Sequence, residues 1–272
     1  MEIDLDEPRW KGDEETERVF ANPKLNALAL PLAFAAAWGL NTVGIGIITM
    51  LFYHEFGHAV AAWLCGRWAF AIPIAGLTFI GEDKSVFMMC LVLGTLAFLW
   101  EYARRENLYG LFTFATAAIL LAADLMFVAP KHDCDAVILW AGSGGELILS
   151  TLVLLAFYYR LSDRLRWDFW RYPLIVTAAC SFLFAAQSWH RAQEDPDKYI
   201  LGGTSTGTSR DKDADWVRLV NNHGWKPWEV VGSYARAEQW CLAAMALHYA
   251  VFLILPAKKL SARRGEDGFE AG

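Results

Sequence analysis

Long apolar runs alternate with short polar breaks along this chain. Seven apolar segments stand out: Leu25–Leu40, Ile45–Leu64, Val86–Trp100, Leu108–Ala129, Ala136–Tyr159, Pro173–Trp189 and Cys241–Pro256. Each approaches the roughly 20 residues that a helix needs to cross a bilayer. The pattern predicts an all-α fold, a polytopic transmembrane helix bundle of about six to seven spans. Only Asn41–Gly44 separates the first two segments, which fits a tight hairpin or one broken helix. The less hydrophobic stretch Gly66–Gly81, with Arg67 and Pro73, predicts a re-entrant or interfacial segment.

The polar breaks set the organisation. Residues 1–24 form a polar N-terminal segment, 25–189 the transmembrane bundle, 190–239 a hydrophilic loop, 240–256 the last transmembrane helix and 257–272 a polar tail. In the loop, Gly202–Ser209 reads as a flexible linker. Asp213–Trp228 mixes apolar and polar positions and predicts a short helix on the membrane surface. Asp211, Asp213 and Asp215 alternate as in a calcium loop, but Trp216 stands where such a loop needs glycine and Asn222 where it needs glutamate. A solvated acidic loop is the better reading.

Composition strengthens the membrane expectation. Hydrophobic residues make up 56% of the chain, above the about 45–50% of soluble proteins. The net charge of −6 gives no basic surface for nucleic acid, and much of the acid lies between Glu2 and Glu15. That N-terminus lacks the basic-then-apolar layout of a cleaved signal, so the first apolar segment is expected to act as an uncleaved anchor. Arg104, Arg105, the Arg160–Arg171 loop and the tail with Lys258 and Arg263 fall on one side if the later segments alternate. That side is expected to be cytoplasmic; the side of the N-terminus stays open. Trp63, Trp100, Trp189 and Trp240 sit near segment ends, suited to the interface or to packing between helices. The five cysteines are scattered singly, with no spacing that suggests a disulfide framework, a thiolate zinc site or a redox pair.

Candidate chemistry gathers in the second segment, at His54-Glu55-Phe56-Gly57-His58. Residues four apart on a helix share one face, so two imidazoles can hold one Zn2+, with Glu55 beside them as general base. Zinc lowers the pKa of water toward about 7, and Glu55 would take that proton and pass it to the leaving group. Ionisable groups inside an apolar span are costly unless they bind something.

The stretch Tyr53–Leu64 (YHEFGHAVAAWL) resembles the signature helix of the site-two intramembrane zinc metalloproteases. The resemblance implies peptide-bond hydrolysis of membrane-anchored substrates, with His54 and His58 as ligands and Glu55 as base. In that family the third ligand is an aspartate followed by glycine on a distant helix. Here Asp83, Asp124 and Asp135 precede Lys, Leu and Ala, and the Asp267-Gly268 pair lies in the polar tail.

Depth offers candidates for the third ligand. With 1.5 Å of rise per residue, His58 and His54 lie about 12 and 18 Å from the Gly66 end of their helix. Glu146 lies about 15 Å inward from Ala136, level with the motif, and Asp124 about 9 Å inward from Pro130. Glu146 follows Gly142-Ser143-Gly144-Gly145, where small residues admit a neighbouring helix. Glu146 is the first choice; the cluster His132, Asp133, Cys134 and Asp135 follows, as ligands or supporting partners, and then Asp124. The leading expectation is a membrane zinc metalloprotease. A zinc hydrolase of lipid amides or esters, and a non-enzymatic metalloprotease-like membrane protein, stay open as alternatives.

Overall fold

The computed structural model describes residues 23–105, 109–157, 171–196 and 214–267. Residues 1–22 of the N-terminal segment, the Arg160–Arg166 stretch, the Gly202–Ser209 linker, Asp211 and Asp213 lie outside them. Among the described residues are eight helices: α1 (Pro23–Thr42), α2 (Ile45–Leu64), α3 (Val86–Arg105), α4 (Tyr109–Ala123), α5 (Lys131–Ala156), α6 (Arg171–Ala192), α7 (Asp215–His223) and α8 (Pro227–Asp267). The only sheet there is a two-stranded antiparallel hairpin of β1 (Ala69–Ile72) and β2 (Leu77–Ile80). The all-α class therefore stands, apart from this hairpin.

Among the described residues, five helices are long and apolar enough to cross a membrane: Ile45–Leu64, Val86–Arg105, Gly110–Val128, Lys131–Ala156 and Arg171–Ala192. The first expected segment is a shorter apolar run, Ala27–Thr42. The last lies inside α8, which begins well before Cys241, within the expected hydrophilic loop. Between α1 and α2 the helix breaks at Gly44, whose φ of 82° is a left-handed conformation that glycine adopts without penalty.

The stretch expected to be re-entrant is the hairpin. Phe70 pairs with Phe79 and Ala71 with Thr78, and Pro73–Ala75 and Gly76 make the turn. Its start is fixed by the end of α2: Gly66 takes a left-handed conformation, and the Gly66 and Arg67 amides donate to Trp63 and Ala62 carbonyls. This double bond pattern caps a helix and redirects the chain.

Two packing regions result. One large core unites α1, α5, α6, α7 and α8 through Ala33, Leu147, Leu154, Ala178, Phe182, Leu219, Val230 and Tyr234. Trp189, read from sequence as a possible interfacial residue, is buried there, stacked on Tyr234 with ring centroids 4.0 Å apart. By contrast α3 exposes Val86, Phe87 and Phe98, and it packs on α4 through Trp100 against Phe112. The chain after α4 passes through a π-helical turn at Asp124–Val128. There the Lys84 ammonium donates to the Leu125 and Met126 carbonyls at 2.9 and 2.8 Å, supplying partners for groups that the turn leaves free.

Candidate metal centre

The centre is built where α2 crosses α5. Gly57 and Gly145 meet there backbone to backbone: a Cβ on Gly145 would lie 2.5 Å from the Gly57 Cα. Small residues at a crossing let two helices approach closely. The approach brings the motif face of α2 against Gly142, Ser143 and Glu146 of α5. A Cβ at Gly142 would lie 2.6 Å from His58 Nε2 and 2.7 Å from His54 Nε2. Glycine at 142 thus leaves space in front of both nitrogens.

The outer nitrogen of each ring is already engaged. His58 Nδ1 donates to the Ile138 carbonyl at 2.7 Å. A carbonyl only accepts, so the proton of neutral His58 sits on Nδ1 and its Nε2 carries a lone pair. His54 Nδ1 lies 2.7 Å from Glu146 Oε1, which places the His54 proton on the same side. The two Nε2 atoms then face each other at 3.2 Å. Asp215 Oδ2, at the start of α7, completes the triangle at 3.1 Å from His54 Nε2 and 3.0 Å from His58 Nε2.

With the ring protons on the outer nitrogens, the three inner atoms repel one another unless a further proton or a metal ion lies between them. Donors held about 2 Å from a tetrahedral ion stand roughly 3.3 Å apart, close to the spacings found. The donor set therefore fits a divalent ion with two imidazoles and one carboxylate.

The carboxylate that faces the two Nε2 atoms is that of Asp215, and Glu146, expected as the third ligand, reaches the motif from the other side of the His54 ring. Depth along a helix does not say which ring nitrogen a side chain will meet, and Glu146 meets Nδ1. Asp124 is exposed at the π-helical turn and takes no part. Asp135 accepts from buried Arg67 at 2.6 Å, and the His132 ring lies 4.3 Å from that of His223. Asp133 is exposed. None of these four joins the converging group, although His132 and Asp135 line the same cavity.

Asp215 carries a signal in the sequence only through its neighbours. Trp216, Leu219 and Val220 give the following helix an apolar face, and such a face must dock somewhere. Trp216 packs edge-to-face on Trp189 and Leu219 is fully buried. That docking carries Asp215 over α2.

Glu55 lies beside the triad, 6% exposed. The Thr78 hydroxyl of β2 lies 2.6 Å from Glu55 Oε2 and donates to the Glu55 backbone carbonyl at 3.0 Å. All these groups line one cavity of about 940 Å³, walled by α2, β2, α5, α6 and α7. Compared with known proteins the chain stands apart: no family model, no curated protein and no solved structure matches it.

Proposed function

We propose that the protein is a membrane-embedded zinc metalloprotease, cleaving peptide bonds of membrane-anchored substrates. The observation that carries this reading is the convergence of His54 Nε2, His58 Nε2 and Asp215 Oδ2 within 3.2 Å of one another. Membrane insertion is supported by helices whose outward faces bear Ile48, Phe87, Phe98 and Leu120. Such faces suit lipid better than water.

Zinc, when bound, supplies a Lewis acid that polarises a carbonyl and acidifies water. His54, His58 and Asp215 would hold it, leaving a fourth position open toward the cavity. Glu55, next to His54 in sequence and inside the same cavity, is the group to take a proton from water and hand it to the leaving amine. Two imidazoles and a carboxylate also suit iron(II); a glutamate so placed favours hydrolysis.

The cavity wall favours a peptide over a lipid. β2 pairs only with β1 among the described residues, so its second edge is open, and Gly76, Leu77, Thr78 and Ile80 line the cavity. An open edge offers backbone donors and acceptors that an extended peptide can pair with. An acyl chain has no use for them.

The test is reconstitution in liposomes with a single-span reporter peptide, comparing wild type with Glu55→Gln and measuring bound metal in both. Both proteins should carry one zinc, and the variant should lose at least about 100-fold in cleavage rate. Equal cleavage by both would end the proteolytic reading, and turnover of lipid amides or esters alone would replace it.

A further inference from the structure

The two histidines are held from behind by unlike groups. His58 Nδ1 donates to a neutral backbone carbonyl, and His54 Nδ1 meets a carboxylate. That carboxylate, Glu146, is only 3% exposed and sits among apolar helices. Among the described residues no Lys or Arg bonds it, and its side-chain partners there are His54 and the Ser143 hydroxyl one turn earlier. A carboxyl so buried is costly without a purpose. Its backbone is pinned as well, since the Ser150 hydroxyl donates to the Glu146 carbonyl.

We infer that Glu146 is the positioning carboxylate of the metal centre, acting through His54 and touching neither metal nor substrate. This rests on the zinc reading above, though not on proteolysis. The geometry has three consequences. Accepting from Nδ1 fixes the tautomer of His54, so that Nε2 presents its lone pair to the ion. It fixes the ring plane as well, because Glu146 rides on the α5 face that packs against α2 at Gly57. Finally, it places a second negative group beside a divalent ion that Asp215 alone balances only halfway, in surroundings where a net charge is expensive. The asymmetry makes His54 the ligand that depends on a side chain, and His58 the one that depends on the backbone.

The experiment measures zinc affinity by chelator competition and the visible absorption of the cobalt(II)-substituted protein, on full-length purified chain. Glu146→Gln keeps the shape and removes the charge; Glu146→Asp keeps the charge and withdraws it from the ring. Each should weaken zinc by about 10- to 100-fold while leaving the cobalt band positions and intensity those of the wild type. Asp215→Asn and His54→Ala, which remove a ligand, should change that spectrum. Added to His54→Ala, Glu146→Gln should cost little more, because its partner is already gone. Wild-type affinity in either Glu146 variant overturns the inference, and so does a cobalt spectrum like that of Asp215→Asn. Wild-type protein that binds no zinc sinks the parent reading with it, whereas zinc binding without peptide cleavage leaves Glu146 in this role.

Discussion

The candidate site has two halves of very different construction. One is the crossing of α2 and α5, where Gly57 and Gly145 put backbones in contact and both imidazoles are braced from behind. The other is α7, nine residues long, whose first residue supplies the remaining donor. No side chain caps its N-terminus at Ala214. Helices shorter than about 12 residues are marginal alone, so α7 owes its order to Trp216, Leu219 and the groups at its two ends. If the site takes an ion as proposed, the first half is built without it and the second is the half that the ion would help to hold. Three ways to break or sharpen that contrast follow, from the largest effect to the smallest.

Gly142→Ala should do the most damage. Its methyl would lie 2.6–2.7 Å from both facing nitrogens, and neither ring can withdraw while Ile138 and Glu146 hold it. Crowding of this kind costs about 1–3 kcal/mol when a core must shift. Zinc affinity should fall beyond the roughly 100-fold that loss of a supporting partner produces. Chelator competition checks it, and wild-type affinity would mean that the crossing is pliable.

The crossing is also the half that could be read from sequence. Apolar runs mark α2 and α5, spacing by four marks the motif face, and Gly142–Gly145 marks a place of close approach. A short helix within Asp213–Trp228 was legible too, as α7 is found; what spacing could not supply was its place over the motif. Asp215 lies 157 residues from His58, with no local signature, and its alternation with Asp211 and Asp213 resembles a solvated acidic loop. The hairpin escaped for another reason. Its four-residue strands are too short for alternation to register, and Arg67 and Pro73 lower the apolarity of the stretch around them.

Asp215→Asn separates the halves directly. The amide can still reach the imidazoles but brings no charge, so zinc affinity should drop while helical content stays unchanged. Chelation of the wild type should do the same to the docking of α7. Amide exchange at 215–223 should speed up on removing metal, and exchange at 54–58 should hardly change. Uniform loosening of both segments would show that α7 is no less built-in than the crossing.

The smallest effect expected is with pH, at the far end of α7. His223 packs against His132 with tilted rings 4.3 Å apart, and burial first, then the facing His132, lowers its pKa. Asp135 and Asp133 of α5 partly offset this, while Arg218 on α7 itself reinforces it. A histidine whose pKa is lower when docked than when free is protonated more readily in the undocked state. Docking is therefore undiminished above the ordinary value of about 6.5 and weakens as pH falls below it. Exchange at 215–223, corrected for its intrinsic pH dependence, should rise between about pH 7 and pH 5.5. His223→Gln should flatten that rise without altering zinc affinity at neutral pH, because the residue sits two helical turns from Asp215. Should His223→Gln respond to acid as the wild type does, the sensitivity belongs to the ligands, and α7 is anchored at its Asp215 end alone.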